Sequence, residues 1–407
     1  MKRTIRRLGH LGDGVADGPV FVPRTLPGEI VEGEVACGRM PSPRIATPSP
    51  ERIAAPCPHY RTCGGCSLQH ASDAFVETWK TDVVRSALDR QGIDATIRGI
   101  VTSPPRSRRR ATLHGRRLRK GVLVGFNGRA SDTITAVPQC HLVRPAILAA
   151  IPSFEALISL GASRKAEIDL AVLETEAGLD VSVSEARPLD RESLVAAVQI
   201  AEAGDLARLS WNGDLVAERR VPVIRFGRAS VAPPPGAFLQ ATAAGEAALV
   251  SAVRDAVGGA SRIVDLFAGC GTFSLPLAEN AGIHAVEGGA AMLAALDRGW
   301  RQTPDLKRVT MEARDLFRRP LLPDEVSRFD AAVIDPPRAG AEAQTHELAA
   351  STVSRVAAVS CNPVTFARDA RLLLEGGFRL DWVQVVDQFR WSPHVELAAC
   401  FSRDHMA

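Results

Sequence analysis

Apolar and polar positions alternate at the start of the chain. "GPVFVP" and "GEIVEGEV" set side chains on two faces at period two, with "GDG", "DG" and "LPG" as turns, which predicts a small all-β unit over residues 1–45. "RMPSPRIATPSPERIAAP" is too rich in proline for regular structure and reads as a joint. Beyond it, "FVETWKTDVVRSALDRQG" and "RESLVAAVQIAEAG" have helical spacing. "RRRATLHGRR", "GVLVGFNGR" and "VPVIRFG" look like strands, and "EIDLAVLETEAGLDVSVSE" reads as a hairpin turning at Ala177-Gly178. Residues 46–236 are thus expected to form a mixed α+β unit. From 237 the rhythm changes: "RIVDLFAG", "IHAVEG", "KRVTMEARD", "FDAAVIDPP" and "RVAAVSCNP" are short apolar runs separated by helical stretches. That alternation predicts an α/β unit over 237–407 with a doubly wound, mostly parallel sheet. "FRLDWVQVVDQF" and "VELAACFSR" add two strands at its end.

Composition supports a globular reading, with 46% apolar and 23% charged residues and no apolar run long enough to span a membrane. The basic start lacks an apolar stretch, so no secretory signal is read and a cytoplasmic location is expected. Charge is uneven: residues 1–150 carry 23 Lys+Arg against 12 Asp+Glu, although the whole chain nets only +3. A basic front joined to an acidic back suggests that the front grips a polyanion. "RSRRRATLHGRRLRK", with eight Lys and Arg in fifteen residues, is the densest stretch.

"CPHYRTCGGC" spaces Cys57, Cys63 and Cys66 as C-x5-C-x2-C, and Cys140 follows far downstream. Clustered cysteines in a chain without a secretory signal argue for metal rather than disulfide. Four thiolates suit zinc or an iron–sulfur cluster. A zinc ribbon ordinarily presents two C-x2-C knuckles and this chain has one, which favours [4Fe–4S]. His59 and His70 are nearby alternatives as ligands.

"RIVDLFAGCGTFSLPLA" is a strand, a Gly-rich turn and a helix, in which Gly269 and Gly271 permit close approach of a ligand. Acids end the successive strands. Glu287 can accept both ribose hydroxyls of an adenosyl group, Asp265 can meet an amino-acid portion directly or through water, and Asp315 can reach the adenine amine. Three acids without a basic phosphate partner suit a cation such as S-adenosylmethionine better than an anionic dinucleotide. In "DPPRAG" the prolines form a rigid ledge presenting Asp335, but Arg338 stands where an amine methyltransferase places a stacking aromatic. The next strand ends in "SCNP", with Asn362 and Pro363 as helix cap and first turn. A small buried residue is one reading of Cys361; a nucleophile is the other. Uracil C5 is too weak a nucleophile to take a methyl group until a thiolate adds at C6, after which a base must remove the C5 proton. Glu396 is the expected base, and His394 an alternative.

These motifs in this order resemble the RNA (uracil-5-)methyltransferases, specifically the iron–sulfur-containing 23S rRNA type (the RumA/RlmD group). "GDGVADGPVFVPRTLPGEIVEGEV" is similar to the TRAM β-barrel of that family, and "CPHYRTCGGCSLQH" with Cys140 to its [4Fe–4S] motif. "FLQATAAGE", "DLFAGCGTFSLPLA", Glu287, "DPPRAG", "SCNPVTFARD" and "PHVE" follow in the family's order. The resemblance implies a Rossmann-like SAM methyltransferase domain behind a TRAM-like barrel and a central iron–sulfur domain. It also implies cofactor contacts at Gln240, Phe267, Glu287 and Asp335, with Cys361 as nucleophile and Glu396 as base. The implied partner is 23S rRNA, with its uridine in a splayed loop. In "VGFNGRASD" Asn127 stands where a basic residue is expected, with Arg129 as a stand-in. Phe126 can stack on a base or fill the core. No membrane and no obligate protein partner are called for. Two other functions compete: a tRNA T-loop uridine methyltransferase, whose kind usually lacks the barrel and cluster, and a non-catalytic RNA-binding assembly factor. An iron–sulfur redox enzyme would need a flavin or radical site that the sequence does not offer.

Overall fold

The computed structural model describes residues 1–163 and 166–404. The second-half rhythm becomes an eight-stranded sheet. Its order is Val309–Ala313, Gly282–Glu287, Arg262–Leu266, Ala331–Ile334, Arg355–Ser360, Glu396–Ser402, Arg379–Asp387 and Ile97–Thr102. The first five strands run parallel. Glu396–Ser402 is antiparallel to both of its neighbours, and Ile97–Thr102 runs parallel to Arg379–Asp387. Ala331–Ile334 is buried throughout, as the unbroken apolar run of a strand covered on both faces must be. Ala243–Val257 and Ala290–Arg301 pack on one face; Asp73–Asp89, Glu342–Ala350 and Pro363–Glu375 pack on the other. Chain order reverses between Arg262–Leu266 and Ala331–Ile334, the place where such sheets open a crevice at their carboxyl ends.

Two elements of this sheet come from the segment expected to form the middle unit. The sequence pattern does not mark Ile97–Thr102 as a strand, and it predicts the helix Asp73–Asp89 without assigning it to this sheet. The hairpin Ile224–Phe226/Ala229–Val231 also buries its apolar side in the same core. Residues 46–236 therefore serve two sheets. Their own sheet has seven strands, in the order Asp214–Glu218, Arg208–Trp211, Gly178–Ser184, Ile168–Thr175, Arg110–Arg117, Val122–Asn127 and Ile134–Ala136. The predicted hairpin is present, with Thr175 opposite Gly178 at its tip. Ile151–Gly161 and Arg191–Ala203 cover this sheet.

The front unit is a five-stranded antiparallel sheet, ordered Val20–Val22, Gly14–Ala16, Lys2–Leu8, Ile30–Glu32 and Arg44–Thr47. Phe21 exchanges backbone hydrogen bonds with Gly38 and Met40, which curls the sheet around Ile5, Val22, Val31 and Met40. Asp13, nearly buried, ties this unit to the middle one by accepting from Arg129 at 2.5 Å. Arg129 is thereby paired with an acid while remaining exposed.

Candidate active site

A cavity of about 500 Å³ opens at the carboxyl ends of the parallel strands. Of the cofactor and catalytic residues expected from sequence, Gln240, Phe267, Gly269, Glu287, Asp315, Asp335, Cys361 and Glu396 line it, and Asp265 does not. Phe267 sits at φ 63°, a left-handed backbone rare outside glycine, and its ring meets that of Phe317 at 5.4 Å. Glu287 fixes the Gly-rich turn: one carboxylate oxygen accepts from Gly269 N at 3.0 Å and the other from Gly289 N at 2.8 Å. Each oxygen retains acceptor capacity for a ligand. Asp315 accepts from Phe317 N at 3.0 Å and so holds the aromatic wall. Of the two glycines expected to admit a ligand, only Gly269 lines the cavity, where a Cβ would meet no more than Met292 Cε at 3.7 Å. A Cβ on Gly271 would press on Leu296 at 2.9 Å, so that glycine serves packing.

Asp265 lies behind the wall. It is fully buried, accepts from Ser274 Oγ at 2.5 Å, and leaves Oδ1 without a partner. Burial pushes its carboxyl up to about 7.

Two glutamines join the two acids of the cavity floor. Gln240 Nε2 donates to Asp335 at 3.4 Å, while its Oε1 accepts from Gln388 Nε2 at 2.5 Å. Gln388 Nε2 also donates to Glu396, and its Oε1 accepts from Ala241 N at 2.7 Å. Sequence reading missed Gln388, which follows directly on the strand Arg379–Asp387, in "VQVVDQF". It also missed Phe238, an exposed ring on the cavity wall with the Arg110 guanidinium 4.4 Å from its centroid.

Electrostatics follow from burial in a nest of acids. Burial, with Glu396 and Asp265 near, holds Asp335 well above the usual carboxylate range. Burial lifts Glu396 to about 7, opposed by the Gln388 hydrogen bond and Arg110. Burial, then Glu396 and Asp335, raise the Cys361 thiol to about 11, with Arg338 opposing.

Asn362 caps the helix Pro363–Glu375 by accepting from Val364 N at 3.1 Å, as its sequence position predicts. Cys361 is thus set in the turn between a buried strand and a capped helix. It also lines a second, wider groove of about 720 Å³, which runs past Arg338, Trp79 and Arg90 to Arg6, Arg7 and His10 of the front unit. His394 faces this groove and not the first cavity. Its Nδ1 pairs with Arg338 at 2.9 Å, and burial holds the ring down to about 4. Of the two candidate bases, Glu396 lines the Cys361 cavity and His394 does not.

The basic run is only partly a surface. Arg109 is buried against Glu246 at 2.5 Å, Arg110 donates to Leu239 O at 2.9 Å, and Arg116 pairs with Glu167. Of these three, Arg109 is buried with its charge held by Glu246, while Arg110 and Arg116 stay partly exposed. Phe126 packs in the core of the middle unit.

Cys57 and Cys140 are buried, and Cys63 and Cys66 half-buried. The four lie within electrostatic reach of one another. Gly65 N points at Cys63 Sγ and Leu142 N at Cys140 Sγ, both at 3.4 Å. Gly64 is glycine because a Cβ there would meet the backbone of residues 127–129 at 2.7–2.8 Å. Among the described residues, however, no group of three or more His, Cys, Asp or Glu side chains is arranged to hold a metal ion. His70 Nδ1 is 2.6 Å from the Tyr60 hydroxyl in a buried pair, while its Nε2 has no hydrogen-bond partner. Among the described residues no helix is long and apolar enough to cross a membrane.

Residues 304–404 match the family described as tRNA (Uracil-5-)-methyltransferase. The chain is 45% identical over 403 residues to an RNA methyltransferase of Brucella suis, covering 98% of this chain and 97% of that one. It is 30% identical over 430 residues to the 23S rRNA (uracil(1939)-C(5))-methyltransferase RlmD of Shewanella baltica, covering 98% and 94%. Its fold is similar to that of the Pyrococcus abyssi tRNA (uracil-54, C5)-methyltransferase, solved in complex with S-adenosyl-L-homocysteine, with a TM-score of 0.78, 21% identity and coverage of 98% and 99%. With kinship running the length of the chain, and Cys361 set beside four acids in an aromatic-walled cavity at the sheet's carboxyl edge, the protein belongs to the RNA (uracil-5-)methyltransferase family.

Proposed function

We propose that this protein methylates C5 of a specific uridine in 23S rRNA through a covalent bond between Cys361 and C6 of the base. The observation that carries this reading is the position of Cys361, which borders both the acid-lined cavity and the groove leading to the basic front unit. Gln240, Phe267, Glu287, Asp315 and Asp335 are suited to hold S-adenosylmethionine: acids balance its positive charge and aromatic rings cover its apolar parts. Gly269 and Asp265 act behind them, the first by keeping the turn open and the second by anchoring it through Ser274. When bound, that molecule supplies an electrophilic methyl group. Cys361, as thiolate, bonds to C6 and makes C5 electron-rich. Once C5 carries the methyl group, Glu396 accepts the C5 proton, the C6–S bond breaks and the aromatic ring is restored. A base pushed up to about 7 gains its charged form as pH rises through neutrality and loses it below.

The second groove is wide enough for a nucleotide turned out of its helix, and Arg6, Arg7 and Arg90 on its walls suit the flanking phosphates. Preference for 23S rRNA rests on the Shewanella baltica relative, which aligns along nearly the whole of both chains. The test is to incubate the protein with labelled methyl donor and unmodified 23S rRNA or tRNA, then map the product. Label at C5 of one 23S uridine is expected. Label confined to tRNA would replace the substrate, and absence of S-adenosylmethionine binding would return the protein to the RNA-binding assembly class.

Cys57, Cys63, Cys66 and Cys140 are proposed to hold a [4Fe–4S] cluster. Support comes from the all-sulfur donor set and the two backbone N–H groups aimed at sulfur. Iron and acid-labile sulfide, assayed in anaerobically purified protein, should approach four each per chain; zinc instead would overturn the assignment. The front unit is proposed to act as the TRAM-like RNA-binding barrel of this arrangement.

A further inference from the structure

We infer that Gln388 is the positioning residue that keeps Glu396 in the base form and aimed at the reacting carbon. The inference rests on the proposed uridine chemistry and names a residue that the chemistry itself does not require.

The orientation of the Gln388 amide is dictated, because the Ala241 backbone N–H can only donate. The group facing it must be Gln388 Oε1, which turns Nε2 toward Glu396 and Gln240. Gln240 in turn spends Oε1 on Gln388 and donates Nε2 to Asp335. Each buried acid therefore receives one amide N–H, and neither amide can rotate without losing a bond.

The segment bearing Gln388 is pinned on both sides. Before it, Asp387 is buried against Lys80 at 2.6 Å, and Lys80 also donates to Phe389 O at 3.1 Å. After it, Trp391 O accepts from Ser67 N at 2.7 Å and Leu68 N at 2.9 Å, just beyond Cys66, while Trp391 itself sits at φ 60°. A side chain on so constrained a backbone can act as a fixed donor.

The groups facing Glu396 are Gln388 just past the adjacent strand Arg379–Asp387, Cys361 after the adjacent strand Arg355–Ser360, Asp335 after the next strand Ala331–Ile334, and Arg110 from the middle unit. Asp335 and Cys361, when charged, oppose a charged Glu396, and burial opposes it further. Arg110 and the Gln388 N–H favour it. Gln388 is thus the one direct hydrogen-bond donor to this carboxylate among the described residues. It counters a buried site that would otherwise keep the base protonated.

Replacement by an apolar residue of similar length tests this. In Gln388→Met the acid limb of the kcat–pH profile should move up by about 1–2 pH units, the range expected for a lost hydrogen bond to a charged group. Turnover at neutral pH should fall about 10–100-fold and recover as pH rises. A denaturant-resistant, base-methylated protein–RNA adduct should accumulate at neutral pH, because the C5 proton stays in place. The thermal midpoint separates this from misfolding: it stays near wild type if Gln388 acts on Glu396. Gln388→Glu, which brings a further acid and no fixed donor, should shift the limb in the same direction. A Gln388→Met enzyme with the wild-type pH profile, at full or uniformly reduced rate, overturns the inference. Activity of Cys361→Ala on the same RNA would instead sink the underlying chemistry, whatever Gln388 does.

Discussion

The carboxyl edge of the large sheet and the basic, cysteine-bearing front half were about equally conspicuous in the sequence, yet the fold treats them differently. At the sheet edge nearly every residue singled out arrives in one cavity. In the front half Arg109 turns inward to hold elements together, Arg116 and Arg129 pair with acids while still partly exposed, and among the described residues no group of three or more ligands is arranged to hold a metal ion. Parallel strands end on one side by construction, so motifs at successive strand ends must meet. A run of like charge carries no such guarantee. Its destination depends on which acids the rest of the chain brings beside it.

Five measurements press on that contrast. The largest effect is expected at the sheet edge, where Cys361→Ala should abolish methyl transfer while S-adenosylmethionine binding, followed by calorimetry, persists; retained transfer would make the cavity a fold relic. Glu396→Gln should next leave a covalent protein–RNA adduct visible on denaturing gels, with release of methylated RNA nearly absent, since addition at C6 precedes the step that needs the base. In the front half, Arg109→Met should cost about 3–5 kcal/mol in denaturant unfolding by stranding the buried Glu246 carboxylate. Arg7→Gln should barely change stability but lower the salt dependence of RNA binding by about one unit of log–log slope. If the two arginines behaved alike, the division into inward and groove-facing charge would be wrong. The smallest effect is chemical: without ligands, alkylation of Cys361 by iodoacetamide, followed by mass spectrometry, should be slow at neutral pH and climb toward a midpoint of about 11, because burial and two acids disfavour the thiolate.

What the sequence could not reveal has a physical pattern. Cys361, Glu287, Asp335 and Glu396 were readable because each ends or begins an apolar strand, and a charged or nucleophilic residue there has only the crevice to enter. Asp265 satisfies the same rule and still fails it, since Ser274 on the following helix draws its carboxyl inward at 2.5 Å. Gln388 looked like the tail of a strand; its meaning lies in partners 147 and 148 residues away, Ala241 and Gln240. Lys80 stands on a helix face otherwise made of Val76, Val84, Ala87 and Leu88, a position that pattern reading gives to an apolar side chain. Asp387 makes the exception tolerable. Ile97–Thr102 has weak alternation and a central Gly99, and only its distant neighbour makes it a strand.

That last strand governs how the protein can be made and cut. Gln384 reaches back 285 residues to the Gly99 carbonyl, so the ribosome releases one border of the catalytic sheet long before the strand it must dock against exists. Assembly has to wait for nearly the whole chain, a slow, non-local closure. A fragment starting at 237 would leave Arg379–Asp387 with a bare flank, ready to recruit a strand from another molecule. Neither half is a module that evolution or the bench can borrow by itself.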